Sequence, residues 1–293
     1  PISKGNFPLN KDGEEIFFLT NNYFRIKKGE IPRYVFRYDN LDKAKKSISG
    51  GYIWLSSIKD FNDPFEGIMH SDYDNAKINE LADYYFKRQG KDPSYTDKRK
   101  FKENLKKTKE RKRLIEEIKN THKSNIEAAG VFCCSEIPDN ITMWAHYSEN
   151  HKGVCLEYDV LRDSLSFNFV NKINYLIEYR PKASLRETLE DKEKSLLKIS
   201  LLTKSKIWEN EKEIRILKAF KKGSLNIKKD CLKSIIFGLR CASDNKEKII
   251  NDMLEKGYDK NTEIKKAVKA ENEYRIEIKK VGVLGDHFQE LIK

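Results

Sequence analysis

Within nine residues the chain places Trp144, His146, Tyr147, His151 and Lys152. An imidazole takes or gives a proton near neutral pH, flat rings stack on a heterocycle, and an ammonium holds an anion. His146 is therefore a candidate base or ribose-positioning group, Trp144 and Tyr147 are candidate stacking surfaces, and Lys152 is a candidate pyrophosphate ligand. Further along, Glu211, Glu213 and Arg215 alternate with Lys212, Ile214 and Ile216, so on a strand the two acids and the guanidinium share one face. Such a face costs free energy unless it lines a cleft or meets partners. Glutamates there would steady a cationic transition state, and Arg215 would either bind an anion or neutralise them. Each candidate also has a plainer role. Trp144 and Tyr147 fit a core, His146 fits a satisfied structural histidine, His151 fits the surface, and the charged face fits cross-strand ion pairs.

Several elements must position these side chains. Val131–Cys134 and Val154–Tyr158 read as two short buried strands. Between them Pro138-Asp139-Asn140 is turn chemistry, with Asp139 or Asn140 able to cap a short helix carrying Met143, Trp144, His146 and Tyr147. Gly153 is expected to supply a left-handed position after that helix. Upstream, Tyr34–Tyr38 and Tyr52–Ser56 read as strands around a helix capped by Asp39 or Asn40 and stopped by Gly50-Gly51. This unit presents Arg37, Tyr38 and Ser57. Phe61-Asn-Asp-Pro-Phe-Glu66 follows as a tight turn carrying Asp63, whose plainer role is to bond its own backbone. Before residue 34 the sequence shows only an element near Glu14–Leu19 and turns at Asn21-Asn22 and Lys27-Lys28-Gly29. Downstream come a strand over Val170–Tyr179 ended by Arg180-Pro181, a helix over Leu185–Ile207 and the glutamate strand over Trp208–Leu217. Ser234–Gly238 and Asn272–Val283 read as further strands and Lys246–Lys256 as a helix, with Leu284–Lys293 docking or fraying.

These elements predict an α+β fold with a curved mixed or antiparallel central sheet, flanking helices and a helical insertion. Residues 34–71 and 130–293 would form the core, 72–129 the insertion, and 1–33 a lead-in. The length suffices for a sizeable core, yet 35% charged and 38% hydrophobic residues imply long solvated helices beside it. A net charge of +12 predicts attraction to an acidic partner, whether nucleic acid, nucleotide or anionic protein surface. From Lys98 to Arg113 there are ten Lys or Arg against two Glu, a local net of +8 by subtraction. Lys98, Arg99, Lys106, Lys107, Arg111 and Arg113 are the candidate nucleic-acid ligands, with a solvated helix face as the plainer reading because Phe101 is the sole interleaved aromatic. Cys133, Cys134, Cys155, Cys231 and Cys241 lack C-x-x-C spacing and read as reduced core residues. His146 and His151 are poorly spaced for one helical face, and no metal site is expected. With no apolar run of ~20 residues and no signal-like N-terminus, a cytoplasmic protein without membrane contact is expected.

Phe-Arg-Tyr38, Phe-Asn-Asp-Pro-Phe65, Met-Trp-Ala-His-Tyr147, Asn-His-Lys-Gly153 and the W-x-x-E-x-E-x-R run of Trp208 to Arg215 together resemble the bacterial Domain of Unknown Function 2971 family, from about Tyr34 to Gly238. That resemblance implies mobile-element, defence or toxin contexts. A second resemblance is to the ADP-ribosyltransferase fold. It implies a nicotinamide cleft with Arg37 or Tyr38 on the first strand, Ser56 or Ser57 (or Tyr147) in the middle, and Glu211 or Glu213 on a late strand. The chain lacks that superfamily's Ser-Thr-Ser triplet.

Three functions follow as expectations. The first is an NAD-consuming transferase or glycohydrolase, a toxin or phage-defence effector modifying nucleic acid or a host protein, with Glu213→Gln abolishing turnover at little cost to folding. The second is a nuclease built on Asp63, Glu66, His146 and Glu213. The third is a non-catalytic nucleic-acid or partner-binding module working through the Lys98–Arg113 run.

Overall fold

Short strands, the central ones buried at nearly every position, build one large sheet. The computed structural model describes residues 11–68, 71–90, 92–177, 184–190 and 195–286. Its strands are β1 (Tyr34–Asp39), β2 (Tyr52–Ser57), β3 (Gly130–Ser135), β4 (Val154–Asp159), β5 (Val170–Lys172), β6 (Asn174–Leu176), β7 (Thr203–Ser205), β8 (Glu213–Lys218), β9 (Gly223–Asn226), β10 (Leu232–Phe237), β11 (Glu263–Lys269) and β12 (Ile276–Val283). The helices are α1 (Lys11–Lys27), α2 (Leu41–Gly50), α3 (Ile78–Arg88), α4 (Tyr95–Leu105), α5 (Thr108–Ala128), α6 (Ile141–Tyr147), α7 (Leu185–Glu190), α8 (Ser195–Leu201) and α9 (Ser243–Glu255). All strands but β6 and β7 join a mixed sheet of ten, in the order β12-β11-β10-β4-β1-β3-β2-β9, with β8 on β3 and β5 on β8. The expected α+β class holds. Among the described residues no helix is long and apolar enough to cross a membrane.

One face of the sheet carries Val35, Phe132, Leu156, Ile214, Ile216 and Ile235, packed on Ala44 and Ile48 of α2 and Ile249, Ile250 and Met253 of α9. The other face carries Tyr38, Cys155 and Ile236 under Met143 and Trp144 of α6. The insertion has its own small core of Tyr73, Leu81, Leu105, Leu114, Ile115 and Ile118, joined by Leu185 from α7. Its break falls where Gly90 and Pro93 predict it, and Ser94 caps α4 by accepting from the Asp97 amide at 3.2 Å.

The sheet divides beside the site. Strand β1 meets β3 at one pair, Phe36 with Ser135, while β2 meets the other end of the same edge through Ser56 with Val131 and Ser57 with Gly130. The backbone between is left to side chains, and the Arg37 guanidinium donates to the Cys133 carbonyl across that gap at 2.8 Å.

Several boundaries differ from the sequence reading. Helix α1 runs through Asn21-Asn22, because Asn22 is buried and its amide donates to the Phe167 carbonyl at 3.1 Å, a tertiary tie instead of a turn. Gly153 has no left-handed φ; Glu149, Asn150 and His151 take those positions. Glycine is needed at 153 for space, since a Cβ there would lie 2.2 Å from the Asp39 carbonyl oxygen. The single helix expected over Leu185–Ile207 is α7, α8 and then β7. The glutamate strand starts only at Glu213, after a 3₁₀ turn over Lys206–Glu211 and a left-handed Lys212. Strands β9 and β11 were not expected, and β12 begins at Ile276 instead of Asn272. The expected strand to Tyr179 is β5 and β6; Tyr179 and Arg180-Pro181 lie outside the described residues. Leu284 docks in the core, and residues 287–293 lie outside the described ones.

Candidate functional site

The split in the sheet opens into a cavity of about 340 Å³. Its walls bring together Arg37 and Tyr38 from β1, His146 and Tyr147 from α6, Glu213 and Arg215 from β8, and Glu211 from the 3₁₀ turn before it. Alternation on β8 does this directly: Ile214 and Ile216 enter the core, so Glu213 and Arg215 face the cavity. Glu211 reaches the same place because the left-handed Lys212 turns the chain between them.

Helix α6 is fixed at its start. The Asn140 side-chain oxygen accepts from the amides of Thr142 at 2.9 Å and Met143 at 3.1 Å. The Tyr38 hydroxyl donates to the Ile137 carbonyl at 2.8 Å, and its ring meets Trp144 edge-on at 5.2 Å between centroids. Trp144 is fully buried, its indole N–H donating to the Pro138 carbonyl at 2.8 Å. It anchors the helix and is not a cavity wall, which corrects its reading as a stacking surface. Tyr147, one turn from Met143, lines the cavity instead.

The floor is a closed set of charges. Arg215 donates from Nε to Glu213 at 2.6 Å and from Nη1 to the Leu201 carbonyl at 2.6 Å, and its Nη2 also meets Glu66. The Lys204 ammonium lies 2.6 Å from Glu211, 3.0 Å from Glu213 and 3.4 Å from Glu66. All five side chains are buried. Burial works against the charge on Glu213, but Arg215 and Lys204 overcome it and hold the carboxyl at about 2. For Glu66 burial wins over Arg215, and its pKa is raised. Burial would lower Lys204, yet Glu213, Glu66 and Glu211 raise it, so the ammonium stays charged. The Tyr147 hydroxyl donates to Glu211 at 2.9 Å and accepts from the Asn62 amide at 3.2 Å. Burial first, and Glu211 second, push that phenol up. Cys133 also lines the cavity, but burial and Glu213 push its thiol well up, so it is a poor nucleophile there.

Three other cofactor-binding candidates, Ser57, Asp63 and Lys152, lie off the walls. Ser57 caps a 3₁₀ turn, accepting from the Lys59 amide. Asp63 is buried and accepts from the Phe65 amide at 2.9 Å, its plainer role, with its second oxygen lacking a hydrogen-bond partner. Lys152 is exposed beyond α6 and does not line this cavity. Among the basic residues, Arg99, Lys106, Lys107 and Arg113 are exposed and Lys98 is half-buried. Arg111 instead donates to the Ala76 carbonyl at 2.7 Å and ties the insertion together. Among the described residues no group of three or more His, Cys, Asp or Glu is placed to hold a metal ion.

Lys204 and Asn62 are the site residues that sequence reasoning missed, and Glu66 was read only as a nuclease ligand. Lys204 precedes its glutamate partners by seven and nine residues across a change of structure, a spacing with no local signature. Glu66 carried a usable signal, an acid directly after Phe65 in an aromatic turn.

Residues 143–216 match a family model described as "Protein of unknown function (DUF2971)". The match takes in His146, Tyr147, Lys204, Glu211, Glu213 and Arg215 of the cavity; Arg37, Tyr38 and Glu66 lie before it. No curated protein and no solved structure matches the chain, so the ADP-ribosyltransferase resemblance gains no support from the comparisons.

Proposed function

We propose that this protein cleaves the nicotinamide glycosidic bond of NAD and passes the ADP-ribosyl group to water or to an acceptor. The observation that carries the reading is the convergence of Arg37, His146, Tyr147 and Glu211 on one cavity whose buried charge set holds three carboxylates against two cations. Loss of nicotinamide moves the positive charge from the pyridinium ring to the ribose, and a carboxylate fixed beside the ribose in a desolvated site favours that state over the ground state, whose charge lies on the ring.

Glu211 is the carboxylate assigned to the ribose. Both oxygens of Glu213 are engaged by Arg215 and Lys204, so Glu213 orders the floor. Glu211 has one oxygen on Lys204 and the other on Tyr147 at the wall, a hydrogen bond that a ribose hydroxyl replaces in kind. His146 positions a ribose hydroxyl or takes the acceptor's proton, and Tyr147 and Tyr38 flank the ring. Arg37 lies across the split and holds the pyrophosphate. Its Nε and Nη2 lie 3.2 and 3.1 Å from Asp39 and its Nη1 donates to the Cys133 carbonyl, which fixes the guanidinium plane and leaves its remaining N–H groups for the pyrophosphate. A cavity of about 340 Å³ is near the lower end of the ~300–1,000 Å³ range of ligand sites, so it takes the nicotinamide-ribose end and leaves the adenylate across its mouth.

The test is incubation of the purified protein with NAD and chromatographic measurement of free nicotinamide. The expected result is catalytic release of nicotinamide without added divalent metal. Intact NAD after prolonged incubation at equimolar enzyme contradicts the reading.

A further inference from the structure

A second cavity, of about 600 Å³, opens on the far side of the segment that follows β2. Asp60, Phe61 and Asn62 of that segment face the first cavity, whereas Ile58, Lys59 and Gly67 face the second. Glu66 is the one residue found in both linings. Its carboxylate is nine-tenths buried, with one oxygen on Arg215 and the other, Oε1, 3.4 Å from the Lys204 ammonium without a hydrogen bond to it. A buried carboxylate oxygen that has an ion pair but no hydrogen bond, at the boundary of two cavities, retains acceptor capacity for a donor that arrives from outside.

The second cavity is lined by Lys59, Lys119 and Lys123 with the polar Ser71 and Asn120, against Glu66 and Glu127. Glu127 is paired with Lys59 at 2.9 Å, and Lys119 with Asp74 at 3.0 Å and Glu116 at 3.2 Å. Lys123 is exposed. Lys119 and Lys123 continue a row on α5: at about 3.6 residues per turn, Lys109, Lys112, Lys119 and Lys123 fall within about a quarter turn of one another, over about 21 Å. Glu116, also exposed, lies on the same row and pairs with Lys119, so Lys109, Lys112 and Lys123 leave the row net positive. A row of cations leading to a cavity of nucleotide size fits a chain of regularly spaced phosphates.

We propose that the acceptor of the ADP-ribosyl group is single-stranded nucleic acid, bound along the α5 lysine row with one nucleotide in the second cavity, and that Glu66 takes the proton of its attacking group. This rests on the NAD-cleaving reading. In the step, the bond from ribose C1′ to the nicotinamide nitrogen breaks with its electron pair leaving on nicotinamide. A hydroxyl or amino group of the nucleotide forms the new bond to C1′, and its proton passes to Oε1 of Glu66. The buried, raised carboxyl of Glu66 suits it to keep that proton.

The test uses the full chain and a fluorescent twelve-nucleotide single strand, in two arms. In the first, anisotropy compares the wild type with a Lys109→Glu, Lys112→Glu, Lys123→Glu triple variant, whose substitutions are all at exposed positions. The expected result is at least a tenfold loss of affinity and a salt dependence shallower by about two, at ~0.7 per phosphate contact for three lysines. Affinity within twofold of wild type overturns the surface. In the second arm the same strand is incubated with NAD labelled in the adenylate. Label on the strand, lost when Asn120→Trp fills the second cavity, is the expected result. Release of nicotinamide with no label on a bound strand overturns the acceptor while leaving NAD cleavage standing. No release of nicotinamide at all fells the NAD reading and this acceptor with it, whatever the first arm reads. Glu66→Gln lowers labelling more than nicotinamide release; equal loss of both overturns the proton-accepting role.

Discussion

Strand β8 is two structures back to back. Ile214 and Ile216 face the main core among residues of β3, α2 and α9, while Glu213 and Arg215 face the cavity floor with Glu66 and Lys204. The apolar side tolerates approximation, because transfer from water rewards any apolar neighbour of about the right size. The charged side does not. Each ion has given up water for named partners, and the loss of one leaves another buried and bare.

The first prediction follows from that asymmetry. Arg215→Met leaves Glu213 with Lys204 alone and strips Glu66 of its strongest partner, so it costs about 3–5 kcal/mol. Ile216→Val, on the other face and one residue away, removes a methylene and costs about 0.5–1.5 kcal/mol. Denaturant unfolding of both variants measures the difference, and a smaller loss for Arg215→Met breaks the comparison.

Acid separates the two faces without removing an atom. Glu213 is held at about 2 against an ordinary value of 4.5, so its contribution is present above pH 4.5 and is lost as pH falls toward 2. Glu66, shifted the other way, contributes below its ordinary value and loses that contribution as pH rises through its raised one, which softens the acid response. Unfolding midpoints between pH 5 and 2 are therefore expected to fall for the wild type and for Ile216→Val in parallel. Glu213→Gln flattens the fall and also lowers stability at pH 7, contrary to the fold-neutral effect that the sequence implied, because its carboxylate is buried between two cations. A Glu213→Gln variant that melts like the wild type at pH 7 would contradict the geometry.

A smaller effect marks a half-buried cation with no carboxylate in contact with it. Lys218, at the end of β8, is held by the Leu165 carbonyl at 2.9 Å and the Asn168 side chain, and burial lowers it to about 8. A base depressed on folding makes stability rise with pH between about 8 and its ordinary 10.5. Lys218→Met is expected to remove that rise, seen as equal unfolding midpoints at pH 7.5 and 10. Smallest of all, Arg99→Glu on α4 touches no partner network and stays within about 0.5 kcal/mol of wild type.

The same contrast explains what could be read from the sequence. Strands β1, β2, β3 and β4 and the cap at Asn140 are legible because periodic burial and turn chemistry are local. The shared face of Glu213 and Arg215 is legible for the same reason. Lys204 is not, and Glu66 is legible only as an acid in an aromatic turn, since what makes them part of the floor is contact across the fold, and no residue near either announces its partner. Trp144 misled because an indole suits a pocket and a core equally, and the Pro138 carbonyl that decides between them is supplied by the preceding turn. Strand β11 was missed because Glu263, Lys265 and Lys266 break its apolar run; it is held as a strand by β10 and β12 on its two sides.

The central claim is that Glu211, facing the cavity from the end of a buried charge set, stabilises a cationic ribose. Glu211→Gln keeps the shape and a hydrogen-bond acceptor for Tyr147 while removing the charge. Its rate of nicotinamide release from NAD, measured beside ADP-ribose binding by calorimetry, tests the claim most directly. The expected result is a fall in kcat of about 10²–10³ with ADP-ribose affinity held within a few-fold. Wild-type turnover by a correctly folded Glu211→Gln protein would contradict it.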